Sequence, residues 1–314
     1  MKKLILAIML ICSCMVTACG PIQTELDKQG MILYKVTDST GSELLFSQKP
    51  QRIISLNVSA DEILLDLVDN KRLVALSALS DEYGICSAAD KAKNIKGRVY
   101  GNNIEGILIY QPDLVIVPDY DNNTINALRS SGLKVYVYKT PSNMAEIFLF
   151  IKSLGEVTGE NKKAEQISEN LKQRLEKVRQ TVNAAVHENE KLNVIMLSFN
   201  GPIGMKGTFS DVCYYAGLKN CLADIDIPFQ NRLSQEKMLE LNPDIIITPS
   251  WDYSKQGNPE VFRNDIINNP LYKDIKAVKN NNVIRIKDNN LYSTSQYVVD
   301  AVEELAKKAY PDLF

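Results

Sequence analysis

The chain has 314 residues, of which 45% are hydrophobic and 24% charged, the composition of a soluble globular protein with room for two ordinary domains. A formal charge of only −2 excludes a strong pull on nucleic acid. Past the first residues no apolar run approaches the roughly 20 residues that a membrane helix needs.

The N-terminus reads in the order basic, apolar, small. Lys2 and Lys3 precede Leu4–Ile11, and small residues follow up to Thr17-Ala18-Cys19-Gly20. That order marks residues 1–18 as a secretory signal. Val16-Thr17-Ala18-Cys19 resembles the bacterial lipobox, which implies that Cys19 carries the lipid and heads the mature chain. The protein is then expected outside the cytoplasm, anchored to the cell membrane, with residues 19–30 as a polar tether.

Residues 31–158 read as a first α/β lobe. Ile32–Val36 and Glu43–Phe46 alternate around Asp38-Ser39-Thr40-Gly41, the pattern of a β-hairpin. Ile53–Leu56 is a compact strand. Ser59 and Glu62 have the spacing of a capping box, and Val58 with Ile63 that of a hydrophobic staple, so a helix is predicted to start there. Arg72–Leu76, Leu114–Val117 and Leu133–Tyr138 are further strands, and strands alternating with helices argue for a parallel sheet.

Residues 159–190 read as a connector helix. Ala164, Ile167, Leu171, Leu175, Val178 and Val182 recur every three or four residues, with charged residues between them. Residues 191–314 then repeat the α/β logic with strands at Leu192–Leu197, Asp244–Thr248 and Val283–Ile286. Thr208 and Asp211 form a second capping-box pattern, Gly217 a helix stop, and Ser295–Tyr310 an amphipathic final helix.

One eighteen-residue block occurs twice, 131 residues apart: NIEGILIYQPDLVIVPDY at 103–120 and SQEKMLELNPDIIITPSW at 234–251. Glu105 aligns with Glu236, Leu108 with Leu239, Pro112-Asp113 with Pro243-Asp244, and Tyr120 with Trp251. Each copy reads as a short helix, a turn and a buried strand. Two copies imply two similar lobes, and the cleft between lobes is a preferred ligand site.

Catalytic signatures are absent from this reading. The single histidine, His187, falls at the end of the connector, away from any cleft, and no G-x-S-x-G elbow or glycine-rich phosphate loop follows a strand. Cys86, Cys213 and Cys221 lack metal-ligand spacing; Cys213 and Cys221 could pair in an oxidising compartment. No cofactor and no resident metal are expected.

Taken in order, the lipobox, YKVTDSTGSELLF, KPQRIISLNVSADEILLDL, NNIEGILIYQPDLVIV, the connector, LSQEKMLELNPDIII and YPDLF resemble the substrate-binding proteins of ABC importers for iron complexes, haem and cobalamin. The resemblance covers roughly Met31 to Phe314. It implies two Rossmann-like lobes with mainly parallel sheets, one rigid joining helix and a cleft between the lobes. It implies a monomer that binds rather than catalyses, and whose partners are a permease dimer with its ATPase. Glu105 and Glu236 match the acids that dock on permease arginines. They are expected one at each end of an elongated molecule, on the side away from the groove. Asn57, Tyr83, Arg98, Tyr100, Tyr120, Trp251, Tyr253 and Tyr292 are the candidates for ligand contact, with Tyr120 and Trp251 facing each other. Helix N-termini at Ser59 and Thr208 would suit anionic ligand groups. Aromatics mixed with Arg98 favour a ferric siderophore, ahead of cobalamin and haem; a chelatase-like enzyme is the rival from another class.

Overall fold

The computed structural model describes residues 26–27, 30–119, 121–203, 207–225 and 233–314. Cys19 and Tyr120 therefore lie outside the described residues. The chain enters through a two-residue ladder, β1 (Leu26–Asp27) with β2 (Gly30–Met31), and a hairpin, β3 (Tyr34–Thr37) with β4 (Glu43–Phe46). Asp38 ties the hairpin turn, accepting from the Thr40 and Ser42 N–H groups at 2.9 and 3.0 Å, and pairs with Arg129 at 2.6 Å.

The first sheet holds β5 (Ile53–Ser55), β6 (Leu73–Ser77), β7 (Gly97–Val99), β8 (Leu114–Pro118) and β9 (Val135–Tyr138). All pairs are parallel, in the order β7-β6-β5-β8-β9. Its helices are α1 (Val58–Leu67), α2 (Ala89–Ala92), α3 (Ile104–Leu108), α4 (Asn122–Ser130) and α5 (Met144–Thr158). The connector, α6 (Asn161–Ala185), spans 25 residues, about 38 Å at 1.5 Å per residue. The second sheet has β10 (Asn193–Ser198), β11 (Gly201–Ile203), β12 (Lys219–Asn220), β13 (Ile245–Thr248) and β14 (Val283–Arg285). Its parallel pairs join β12, β10, β13 and β14, and β11 runs antiparallel to the end of β10. Around it lie α7 (Thr208–Tyr215), α8 (Gln235–Leu241), α9 (Pro259–Ile267), α10 (Lys276–Lys279), α11 (Asp288–Leu291) and α12 (Val298–Ala309).

Continuous apolar strands are what a sheet covered on both faces requires. Alternate residues divide between two cores. Ile53, Leu114 and Ile116 of the first sheet, with Val194, Met196, Ile245 and Ile247 of the second, join one core shared by both lobes. Leu171, Leu175 and Val178 of α6 enter that same core, as do α5 and α12. The opposite faces, Ile54, Val115 and Val117 in one lobe and Ile195 and Ile246 in the other, close separate outer cores. Each buried leucine or isoleucine contributes about 1.5–3 kcal/mol, so this shared core fixes the lobes far more firmly than a linker would. Arg174 of α6 adds ion pairs to Asp300 and Glu303 of α12 at 2.6 and 2.8 Å.

The duplicated block has one local design in both places. Asn103 and Ser234 cap α3 and α8, and Glu105 and Glu236 are the second helical residue of each. Gln111 and Asn242, aligned in the repeat, both take the left-handed conformation, with φ of 46° and 40°. Proline then redirects the chain, and an aspartate clamps the head of the neighbouring strand. Asp113 accepts from the Gln51 and Arg52 N–H groups at 2.6 and 2.9 Å, and Asp244 from Asn193 N–H at 2.9 Å.

Both capping-box expectations are corrected. The cap of α1 is Asn57, whose side chain accepts from Ser59 N–H at 2.9 Å; α7 starts after Gly207 without a side-chain cap. In each case a tertiary partner takes the acid. Glu62 is buried against the second lobe, and Asp211 accepts from Met144 N–H at 2.6 Å. Gly217 does end its helix, at φ +73°, where a Cβ would lie 2.4 Å from Val182 of the connector. Cys213 and Cys221 are free thiols, both pushed to higher pKa chiefly by burial.

Candidate ligand cleft

In open α/β sheets the loops beyond the carboxyl ends of the strands converge. Here those of both lobes enclose one cavity of about 410 Å³. The first lobe supplies Asn57, Val58, Ser59 and Glu62 from the start of α1, and Leu79, Gly84 and Ile85 from the loop after β6. The second supplies Ser198 and Phe199 at the end of β10, Pro249, Trp251, Asp252 and Tyr253 after β13, and Asp288, Asn289, Tyr292 and Ser293 around α11.

Trp251, the one tryptophan of the chain, is held by its backbone. Asp288 accepts from the Ser250 and Trp251 N–H groups at 3.2 and 3.1 Å, and Ser250 Oγ accepts from Asp288 N–H at 2.9 Å. Burial raises the Asp288 pKa, and these donors oppose the rise. The indole lies 5.9 Å from the Tyr253 ring, centroid to centroid. It reaches the opposite lobe at Gly84, where an added Cβ would stand 2.0 Å from it. Only glycine leaves room for that crossing. Phe199 is set edge-on to Phe262 at 5.1 Å.

Three carboxylates line this aromatic space. Asp252 ties its own loop, accepting from Ser254 and Gly257, and those bonds lower its pKa. Asp288 holds the tryptophan. Glu62 is almost wholly buried; burial pushes its pKa up to about 7 while hydroxyl and N–H donors pull the other way. Its neighbour Asp61, fully buried behind it, is pushed up to about 6 by the same cause. One Asp61 oxygen accepts from Ser77 and Ser80, and the other has no partner.

Of the residues expected at the ligand, Asn57, Trp251, Tyr253 and Tyr292 line the cavity. Arg98 does not. It makes a two-pronged ion pair with Asp81 at 2.9 and 2.5 Å and donates to the carbonyls of Ala92, Ile95 and Gly97, which occupies its fork locally. Tyr83 donates to Asp90 at 2.8 Å on the surface beneath Lys93, and Tyr100 is exposed outside the lining. The anion-binding reading of Ser59 and Thr208 also gives way. Ser59 N–H is taken by Asn57, and the first turn of α7 packs on the other lobe at Ser142 and Met144. Glu62, Gly84, Phe199 and Asp288 were not anticipated as cavity residues; Phe199 alone carried a signal, lying just past the carboxyl end of the strand expected at Leu192–Leu197. His187 is exposed at the far end of the connector.

Glu105 and Glu236 are both exposed. The course of α3 sets Glu105 apart from the expectation that both acids face away from the groove. Helix α3 follows the carboxyl end of β7 after four residues and ends where Asp113 grips the amino end of β5. Its first turn therefore lies on the cavity side of the sheet. Helix α8 likewise ends at the amino end of β13, with Glu236 in its first turn. Neither acid lines the cavity.

The chain can be set beside known proteins on this geometry. It is 26% identical over 320 residues to an uncharacterized ABC transporter substrate-binding lipoprotein of Bacillus subtilis, YvrC, covering 98% of this chain and 97% of that one. A cobalamin-binding protein of Halobacterium salinarum is 20% identical over 272 residues, covering 86% and 72% of the two chains. A possible iron-binding periplasmic solute-binding protein of Staphylococcus epidermidis superposes with a TM-score of 0.68 at 22% identity, over 84% of this chain and all of that one. The periplasmic binding protein family model matches residues 53–290, from the first strand of one sheet to α11 of the other. A matched span that takes in both lobes and the cleft between them places this chain in the periplasmic binding protein family, whose members bind solutes and are not enzymes.

Proposed function

We propose that this chain is the lipid-anchored binding protein of an ABC importer and captures a metal chelate that carries no net negative charge. The observation that carries the reading is the cavity itself: Trp251, Phe199, Tyr253 and Tyr292 offer flat faces from one lobe, while Glu62, Asp252 and Asp288 add acidic charge. Aromatic faces suit the apolar shell of a chelator, and like charge opposes a polyanion in a low-dielectric cleft. A ferric siderophore of the uncharged or cationic hydroxamate kind fits both conditions. Cobalamin is the second reading, favoured by the amide and hydroxyl groups of Asn57, Asn289, Ser59 and Ser198, which match a ligand with peripheral amides. Arg98, which with the aromatics favoured a ferric siderophore from the sequence, is spent on Asp81.

Capture needs no covalent step. The chelate enters between the lobes, excludes water from Trp251, and is presented to the permease on which Glu105 and Glu236 dock. Carboxylates can make charge-assisted, two-pronged bonds to arginines, and a matched pair fixes orientation on a two-fold surface.

Trp251 supplies the test. Its emission is titrated with ferrioxamine B, cyanocobalamin, haemin and an anionic ferric tris-catecholate. Saturable quenching by ferrioxamine B or cyanocobalamin at micromolar or lower concentration is expected, with binding at least tenfold weaker for the tris-catecholate. Tighter binding of the tris-catecholate would refute the charge argument.

A further inference from the structure

One face of α1 is zipped to the second lobe by polar groups alone. Ser59, Glu62 and Asp66 recur at helical spacing. Ser59 Oγ meets Thr294 Oγ1 at 2.5 Å. Glu62 Oε2 accepts from Ser293 Oγ at 3.0 Å and Ser295 Oγ at 2.5 Å, while Oε1 accepts from Ser87 N–H at 2.6 Å in its own lobe. Gln296 Nε2 donates to the Glu62 carbonyl at 2.8 Å and to Asp66 at 2.9 Å. Glu62 is thus at once a wall of the ligand cavity and the hub of the contacts between lobes.

Burying a carboxylate in this seam is costly unless it is well bonded or protonated. The seam accommodates both forms. The Ser293 and Ser295 hydroxyls lie 2.8 Å apart, and either can donate. They can point at an ionised Glu62, or turn so that one accepts from a protonated one.

We propose that the Ser59–Glu62–Asp66 face of α1 and the segment Ser293–Tyr297 form a proton-operated latch between the lobes, with Glu62 as its titrating element. It stands whichever chelate is carried. The groups around Glu62 set the sign. Asp61 and Asp66 on its own helix, and Asp288 across the cavity, are acidic. Lys91 of α2 is held by Asp66 at 2.5 Å, Arg98 by Asp81, and Cys86 and the Tyr297 hydroxyl are neutral near pH 7. No cation among these is bonded to Glu62, so burial dominates. With the latch closed the Glu62 pKa stands near 7; opened to water it returns towards the ordinary 4.5. The closed state binds the proton more tightly, so acid favours closure and rising pH favours opening.

Amide hydrogen exchange of residues 293–297, corrected for the intrinsic pH dependence of exchange, reads the latch on the unliganded full-length protein. Protection should fall about tenfold between pH 6 and pH 8, the change that linkage gives for these two values. Glu62→Gln should abolish the fall. Should that variant not fold, as judged by circular dichroism, the S293A/S295A double variant decides, because removing two donors to the carboxylate should make the fall steeper. Protection that stays level in the wild type, a fall undiminished in Glu62→Gln, or a double variant that matches the wild type would overturn the proposal.

Discussion

Gly84 and Trp251 face each other across the cleft, and the pair illustrates how one atom sets the spacing of two lobes. A methyl at Gly84 would meet the indole at 2.0 Å. Gly84→Ala should displace Trp251, destabilise the fold by about 1–3 kcal/mol and red-shift the emission as the ring moves into water. An unchanged emission maximum would show that the crossing does not exist in solution. Asp61 behaves differently because its environment opposes charge. Its folded pKa of about 6 exceeds the ordinary 3.8, so the native state binds the proton more tightly. Its contribution is most favourable below about pH 4 and is lost as pH rises through 6. Stability measured by denaturant should therefore shift towards Asp61→Asn across that window, by on the order of 3 kcal/mol at most. A gap between the two proteins that is constant with pH would contradict this.

The repeat shows what a short element can encode. Left-handed Gln111 and Asn242, the following prolines, and the clamps at Asp113 and Asp244 build one strand-entry device twice. Asp113→Ala leaves two backbone N–H groups without their acceptor and should cost about 1–3 kcal/mol in a denaturant midpoint; Asp244→Ala, which frees one, should cost less. Equal, negligible losses would show that water replaces both clamps. The elements themselves were legible, because apolar runs and 3.6-residue periodicity are local properties. The caps were less so. Ser59/Glu62 and Thr208/Asp211 satisfy the local pattern, yet Glu62 is claimed by Ser293 and Ser295, and Asp211 by Met144, partners from the other lobe. Arg98 misled for a different reason: Asp81 and three carbonyls of its own lobe, all within 17 positions, fill its donors, and residue type alone does not record that.

At the scale of the molecule, Glu105 and Glu236 are exposed first-turn residues outside the cavity, available for docking on a permease. Replacing both by alanine should abolish uptake in cells and leave chelate affinity within about twofold, since neither acid lines the cavity. Normal uptake would remove the docking role. Cys19→Ala should release the protein from the membrane fraction, and an unaltered fraction on immunoblotting would contradict the lipid anchor.

The amino-acid sequence alone determined the order of elements, the doubling of the block, the stiff helix between the halves and the kinship with binding proteins. All of these follow from local periodicity or from residues read in order. The tertiary structure decided which residues share the cleft, that both marked acids stand exposed outside its lining, and that Glu62 is a seam rather than a cap. Those outcomes depend on contacts between groups up to 235 positions apart, which no local pattern records.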